Sequence, residues 1–582
     1  MQVSTLADAD PSASYAELPD DPATLLRWLL SLPETYPFAA LQKPITARSQ
    51  SDQALEYKVA LGFLHFRLQQ PAEALALYQQ VLSSFDQSAT FHLLRGMAAR
   101  KLPDQHALAQ QAYERALELE PQRSDAFYNL GNLYREERPL DAERCYRASL
   151  SLAPEQPMAW HNYGILLVHE LRLREARHAL QLSLQLDPKE AAVWCNLALA
   201  LFADRRMAAA RLALREAVAL EPALPGGTPE QALSHWERGG PLCRDSFDAL
   251  WDLALISLAA GDYGWGWRCY EIRFSTKNHV PSEVPSVGPR LRTLADAPRL
   301  GQPPLLVWSE QGLGDAIQFG RYLPLLEAAG IPFEFRCRKP LLRLFQDWFG
   351  LGDRVVPETL RTDPSDHRPH CSLLSLPHLF GTELQTVPAV TPYIRPPVPT
   401  PEHLRVPAPP GGLSVGLVWA ANPANKAMYR HKSIPLRLLM PRLLDLIDWD
   451  LIDLHVLQFG TDNGQLDPWR SHERITDWSE GIDDFSDTAH VLQQLDLVIT
   501  VDTAVAHLSG ALNRPTWLLL PRNCDFRWLL DRRDSPWYSS SLRLFRQPDH
   551  GDWNAVVRDL HQALDDLFLL DLEALKAAKI EG

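Results

Sequence analysis

The 582-residue chain is poor in cysteine: there are seven, at 145, 195, 243, 269, 337, 371 and 524, and no C-x-x-C. That spacing supports neither a structural zinc site nor a disulfide framework, and it suits a reducing compartment. A positive balance is lacking too, with 57 Lys and Arg against 72 Asp and Glu and a net charge of -15. This argues against a nucleic-acid partner held through phosphate neutralisation and against a general electrostatic grip on anionic membranes. No stretch approaches ~18 uninterrupted apolar residues, so no transmembrane segment is expected. The opening MQVSTLADADPSAS has no basic region ahead of an apolar run, so no secretory leader is expected either. A soluble, cytoplasmic protein is the resulting expectation. At 46% apolar and 22% charged residues the chain can build large cores, and its length calls for several domains.

The first half repeats itself. PMAWHNYGILLVHELRLREARHALQLSLQLDP aligns with AAVWCNLALALFADRRMAAARLALREAVALEP. Trp160 and Trp194, Gly164 and Ala198, Ala176 and Ala210, and Pro188 and Pro222 are each 34 residues apart. The preceding AFYNLGNLYREERPLDAERCYRASLSLAP has the same landmarks, and AQQAYERALELEP and PAEALALYQQVL repeat the second-helix half. A large residue, a small residue four later, a small residue opening the second helix and a closing proline make the tetratricopeptide pattern. Small residues at the crossing let antiparallel helices approach, and stacked hairpins share one core. Protein or peptide binding is the expected use, with assembly or spacing as the alternative. A last hairpin, LWDLALISLAAGDYGWGWRCYEIRF, carries the aromatic cluster Tyr263, Trp265, Trp267 and Tyr270 and is expected to pack the array onto the second half of the chain.

After Pro304 the pattern changes. PLLVW, FEFRCR, RVV and SLLSL read as strands, as do LSVGLVWA, LIDLHVLQF, DLVITV and PTWLLL beyond the proline-rich bridge 392–412. Helical segments such as IPLRLLMPRLLDLI and TAVAHLSGAL separate them. Strands alternating with helices imply parallel sheets, here two Rossmann-like units with ligands at the strand C-termini. The expected domains are a weakly patterned leader at 1–51, the repeat array at 52–275, a linker at 276–303, and α/β domains at 304–405 and 406–582, the latter with a C-terminal helix.

The turns carry the chemistry. In GLGDAI the third glycine of a dinucleotide fingerprint is replaced by Ile317, and the G-K-[ST] of a P-loop is absent. What remains is a glycine turn at the end of a strand, followed by Asp315, which can either cap the next helix or act as a general base. In DLVITVDTAVAHLSGAL a strand ends at Val501 and Asp502-Thr503 precedes a helix. The free amides of a first helical turn suit an anion, although these two residues could also simply cap. His507 follows one turn later and could pack only. The loop WAANPANKAMYRHKSIPL offers Asn422, Lys426, Arg430, His431 and Lys432, either as a solvated basic loop or as a phosphate-binding one. No D-x-D pair sits at a convincing strand end, so no metal or other cofactor is expected.

Together these residues resemble the GT-B glycosyltransferases of the heptosyltransferase (family 9-like) type, in the subgroup with an N-terminal tetratricopeptide array. The resemblance runs from about 52 to 565, on GWRCYEIRF, EQGLGDAIQFGRY, LLSLP (373–377), PYI (392–394), GLVWAANP and DLVITVDTAVAHLSGALNRPTWLLLP. It implies a multidomain chain, a helical superhelix followed by a GT-B pair, acting as a metal-independent inverting transferase. Asp315 after Gly314 would be the catalytic base. Lys432 in KSIP would contact donor phosphate, with Lys426 and Arg430 as fallbacks and Asn422 nearby. Asp502, Thr503 and His507 would frame the diphosphate, and Ala504 stands where that family usually has glycine, which narrows the pocket and weakens the case for ADP-heptose as donor. Residues 483–492 would flank the nucleoside, and Gln311, Gly312 and His370 complete the candidates. The expected partners are a nucleotide-sugar donor and a protein acceptor recruited by the array, which in some relatives of this architecture is flagellin. The alternatives are a lipopolysaccharide or lipid-linked glycan acceptor, and a non-catalytic scaffold.

Overall fold

The computed structural model describes residues 18–19, 21–33, 36–49, 55–275, 286–358, 363, 365–396, 399–407, 412–424, 426–538 and 540–580. It divides into two compact units, Met1–Arg206 and Met207–Gly582. The first is built of helical hairpins: Leu55–Arg67 with Pro71–Phe85, Ala89–Arg100 with His106–Leu119, Ser124–Tyr134 with Pro139–Leu152, and Pro157–His169 with Leu173–Leu186, followed by Ala191–Ala203. Each of the first three pairs closes over a residue without bulk. A Cβ placed on Gly62 would stand 2.5 Å from the Tyr78 ring, one on Gly96 2.5 Å from Tyr113, and one on Gly131 2.7 Å from Tyr146. The three tyrosines are wholly buried. The tryptophans that mark the repeat also tie it to its predecessor: Trp160 Nε1 donates to the Pro154 carbonyl (2.8 Å) and Trp194 Nε1 to that of Pro188 (3.0 Å). Ser149 and Ser183 bind each second helix to the start of its partner through the carbonyls of Ser124 and Pro157.

Two of the expected domains gain detail. The described part of the weakly patterned leader folds: helices Pro22–Ser31 and Gln42–Ser49 deliver Leu25, Leu29 and Ile45 to the core of the first hairpin, joined by Phe38 and Leu41 from the turn between them. A terminal repeat has an uncovered apolar face, and these helices cover it. The division between units falls within the expected array instead of at 276–303, because the helices from Met207 onward belong to the α/β unit. Residues 286–303 of the expected linker are described, and bridge Ser286 to Asp363 and Arg290 to His370.

In the second unit helices Met207–Ala219, Pro229–Glu237, Arg244–Ala259 and Tyr263–Tyr270 precede two wholly parallel sheets. The first contains β1 (Leu305–Trp308), β2 (Phe333–Cys337), β3 (Val355–Pro357) and β4 (His370–Ser372), in the order β3-β2-β1-β4. The second contains β5 (Leu413–Val418), β6 (Ile452–Val456), β7 (Ile475–Asp477), β8 (Leu497–Val501), β9 (Thr516–Leu520) and β10 (Leu542–Arg546), in the order β10-β9-β8-β5-β6-β7. Strand order reverses between β1 and β4 and again between β5 and β8. In open α/β sheets such reversals are where ligand crevices form, at the carboxyl ends of the strands. SLLSL is not a strand: β4 ends at Ser372, whose hydroxyl accepts the Leu374 N–H (3.0 Å) and turns the chain into the helix Leu376–Leu379. The edge strands β7 and β10 were not anticipated.

The aromatic hairpin packs against the α/β layers. Trp267 lies edge-on to Phe319, Phe526 and Trp537, and Trp537 Nε1 donates to the Tyr263 hydroxyl (3.1 Å). The repeat packing is directly testable. Gly131→Val drives a branched side chain into a ring anchored by its hydroxyl on Asn132 (2.8 Å), and should lower unfolding stability by about 1–3 kcal/mol in urea titration.

Candidate functional site

β1 ends at Trp308, Ser309 and Glu310 follow, and the chain reverses at Gln311, which holds a left-handed φ of 60°. The helix Leu313–Phe319 then begins, with Asp315 in its first turn. One oxygen of Asp315 does the capping job, since Gly312 N–H donates to Oδ2 (2.7 Å). The other, Oδ1, is ion-paired with the Arg527 guanidinium. Capping therefore occupies one oxygen and leaves the other for the ion pair. Burial raises the proton affinity of Asp315 above the ordinary carboxylate range, and the attraction of Arg527 offsets this only in part.

Across from it, β8 ends at Val501, and Thr503 precedes the helix Ala504–Ala511 without its side chain capping an amide. Asp502 Oδ2 lies 2.5 Å from Lys432 Nζ, at the end of the helix Lys426–Lys432. Burial alone would lower the Lys432 proton affinity; Asp502 and Asp525 outweigh it, and the ammonium is stabilised. The two helix starts touch. A Cβ on Gly314 would meet His507 Cδ2 at 2.8 Å and the Ala504 Cα at 3.2 Å. His507 cannot give way: its Nδ1 is 3.0 Å from the Tyr538 hydroxyl and its ring stacks on Trp528 at 5.0 Å. Burial depresses its proton affinity to about 3, so it is a neutral packing imidazole.

The structure thus gathers Gly314, Asp315, Lys432, Asp502, Thr503, Ala504 and His507. Gly312 holds Asp315, and Gln311 Nε2 donates to the Tyr270 hydroxyl (2.6 Å). Other candidates fall away from the crevice. His370 opens β4 at its amino end, where Trp308 Nε1 meets its Nδ1 (3.3 Å) and burial lowers its proton affinity to about 4. Asn422 is exposed, its Oδ1 taken by the Ala424 N–H (3.0 Å), and Arg430 faces solvent. The Lys426 side chain lies outside the described residues. The segment 483–492 spends its polar groups on the opposite layer: Arg343 pairs with Asp487 (2.9 Å) and Trp348 Nε1 donates to Ser486 (2.9 Å).

Sequence reasoning missed Arg527 and Asp525, which follow β9 in the turn NCDFRW. Asp525 Oδ1 accepts both the Arg527 N–H (3.1 Å) and Nη1 (2.6 Å). It also passed over the roles of Arg273 and Glu310, although both lie in motifs already singled out. Arg273 is fully buried and donates to Glu310 Oε1 (2.7 Å), Glu271 (2.7 Å) and Ser375 (2.9 Å), and Glu310 also accepts from Ser372. This network joins the aromatic hairpin to the carboxyl ends of β1 and β4. Among the described residues no group of three or more His, Cys, Asp and Glu could hold a metal ion, and no helix is long and apolar enough to cross a membrane.

Known proteins bear on the first half of the chain most directly. The tetratricopeptide-repeat family matches residues 59–105, 104–157 and 170–226. The chain carries a tetratricopeptide array. Protein FlbA of Caulobacter vibrioides is 27% identical over 348 residues, which cover 54% of this chain and 54% of that protein. The chain therefore spans about half the length of this curated relative. Among solved structures, YrrB, described as a TPR protein with an unusual peptide-binding site, is 21% identical, with 31% of this chain and 92% of that one covered at a TM-score of 0.26. TTC0263, a thermophilic TPR protein of Thermus thermophilus, is 18% identical, with 31% and 100% covered at a TM-score of 0.28.

The contact between the two helix starts makes a sharp demand. Gly314→Ala should cost about 1–3 kcal/mol in denaturant unfolding, since the methyl meets backbone on one side and a pinned imidazole on the other.

Proposed function

We propose that the protein is a metal-independent inverting glycosyltransferase of GT-B type, moving a sugar from a nucleotide-sugar donor to a protein acceptor engaged by the tetratricopeptide array. The observation that carries this reading is the meeting of two turns at the carboxyl ends of two parallel sheets. One presents a shielded carboxylate, Asp315. The other presents an uncapped helix start at Thr503, with Lys432 brought beside it by its pairing to Asp502. In this reading Asp315 takes the proton of the acceptor hydroxyl as its oxygen attacks the anomeric carbon. The bond from that carbon to the donor phosphate breaks on the opposite face, inverting the centre. Lys432 and the amides after Thr503 stabilise the charge left on the departing phosphate.

General-base assistance is worth roughly 10²–10⁴ in rate, and a raised proton affinity at Asp315 suits that task. The acceptor side rests on the array, whose stacked hairpins offer a surface of the kind that binds extended protein segments. Flagellin, implied by the family resemblance, is the first acceptor to try. A lipid-linked glycan acceptor would leave the array without a task.

The division of labour yields opposite signatures in two variants. Asp315→Asn should lower donor turnover by about 10²–10⁴ while nucleotide affinity by calorimetry stays unchanged or tightens slightly. Lys432→Ala should weaken nucleotide binding by about tenfold or more. Equal loss of binding in both variants would contradict these roles.

A further inference from the structure

The two cations gathered at the crevice are already held by carboxylates: Lys432 by Asp502, and Arg527 by Asp315 and Asp525. An anionic ligand entering there must displace an acid from a base. The two acids on Arg527 are not equivalent. Asp525 sits on the same turn as Arg527, accepts from both its main chain and its side chain, and is held below the usual carboxylate range because Arg527 and Lys432 outweigh its burial. Asp315 belongs to the other layer, is tied down by one backbone amide, and keeps a raised proton affinity. Arg527 itself is 5% exposed, its guanidinium over the Phe526 ring at 4.4 Å, and its Nε has no hydrogen-bond partner among the described residues. It therefore has a donor to spare and one exchangeable acid.

Resting on the transferase reading, we propose that Arg527 is a positioning residue that exchanges Asp315 for a phosphate of the bound donor, so that donor binding itself releases the base. Before the donor arrives, Asp315 is an ion-paired carboxylate whose proton affinity Arg527 holds below what its burial alone would give. Once Arg527 turns to phosphate while keeping Asp525, the pairing that lowered the proton affinity of Asp315 is gone, and an added negative charge lies nearby. Catalytic competence then appears only with the donor in place, which limits wasteful proton transfer in its absence.

The sign of the linked proton movement follows from the groups that face Asp315. On its own element Gly312 N–H favours the ionised form. From the turn after β9 Arg527 favours ionisation and Asp525 opposes it, and Lys432 favours it more weakly. His507 on the opposite helix is neutral. Withdrawing Arg527 and adding phosphate both raise the proton affinity of Asp315, and only Lys432 works the other way. Nucleotide binding must then take up protons, and affinity must rise as pH falls between the paired and released proton affinities of Asp315.

The test is calorimetry of the full chain with UDP, ADP, GDP and CDP at about pH 6, in buffers of different ionisation enthalpy, beside Asp315→Asn. The nucleotide's own phosphate titrates alike in both proteins, so the difference isolates Asp315. The expected result is an excess uptake in the native protein of about half a proton or more per nucleotide, absent from the variant. Arg527→Gln, in which Asp315 is unpaired from the start, should bind more weakly and lose the excess; should it not fold, the Asp315→Asn comparison decides alone. Binding with equal uptake in the native protein and Asp315→Asn overturns the exchange and leaves the transferase reading standing. Failure of both proteins to bind any of the nucleotides overturns that reading and the exchange with it.

Discussion

The close approach of Gly314 to the start of the helix Ala504–Ala511 is the constraint on which the rest of the crevice depends. Two helices from different sheets meet end to end only because one contributes a residue with no side chain, while the other offers backbone and an immobile imidazole. That contact sets how far Asp315 stands from the turn at Asp502 and Thr503. It also brings Arg527, from a third turn, within reach of both layers.

A second constraint comes from the aromatic hairpin. Its Arg273 is buried among Glu271, Glu310 and Ser375, directly behind the glycine turn. Burying such charges costs several kcal/mol unless each is paired and hydrogen-bonded, and here the pairing is extensive. Removing one partner would leave an uncompensated charge at the carboxyl end of β1. The hairpin that reads in sequence as a late member of the helical array is thus the back wall of the α/β crevice. This is why the compact division falls at Arg206 and not at the proline-rich segment further on.

Much of this was legible in the sequence, for identifiable reasons. The 34-residue spacing of Trp160 and Trp194 was legible because each tryptophan performs the same bond to the carbonyl six residues before it. The parallel sheets were legible because their central strands are buried on both faces and read as unbroken apolar runs. β7 and β10 escaped notice as edge strands, one of them only three residues long. SLLSL misled because an apolar run of that length fits a strand or a helix equally, and the capping hydroxyl of Ser372 decides between them. The glycine turn, Asp315, Lys432 and the 502–504 turn announced themselves by standing at strand ends. Arg527 and Asp525 did not: two residues apart in an irregular turn, they acquire meaning only from a carboxylate on the far sheet's glycine turn. His370 illustrates the converse, a polar residue on a strand whose partner is a neighbouring indole.

In the proposed reading the turns at 311–318 and 502–508 share one ligand. Hydrogen–deuterium exchange of the intact protein, with and without each of a panel of nucleotide sugars, measures this most directly. The ligand that binds should slow amide exchange in both segments together, at the same ligand concentration. Protection of one segment alone, or of neither with every nucleotide sugar tried, would contradict it.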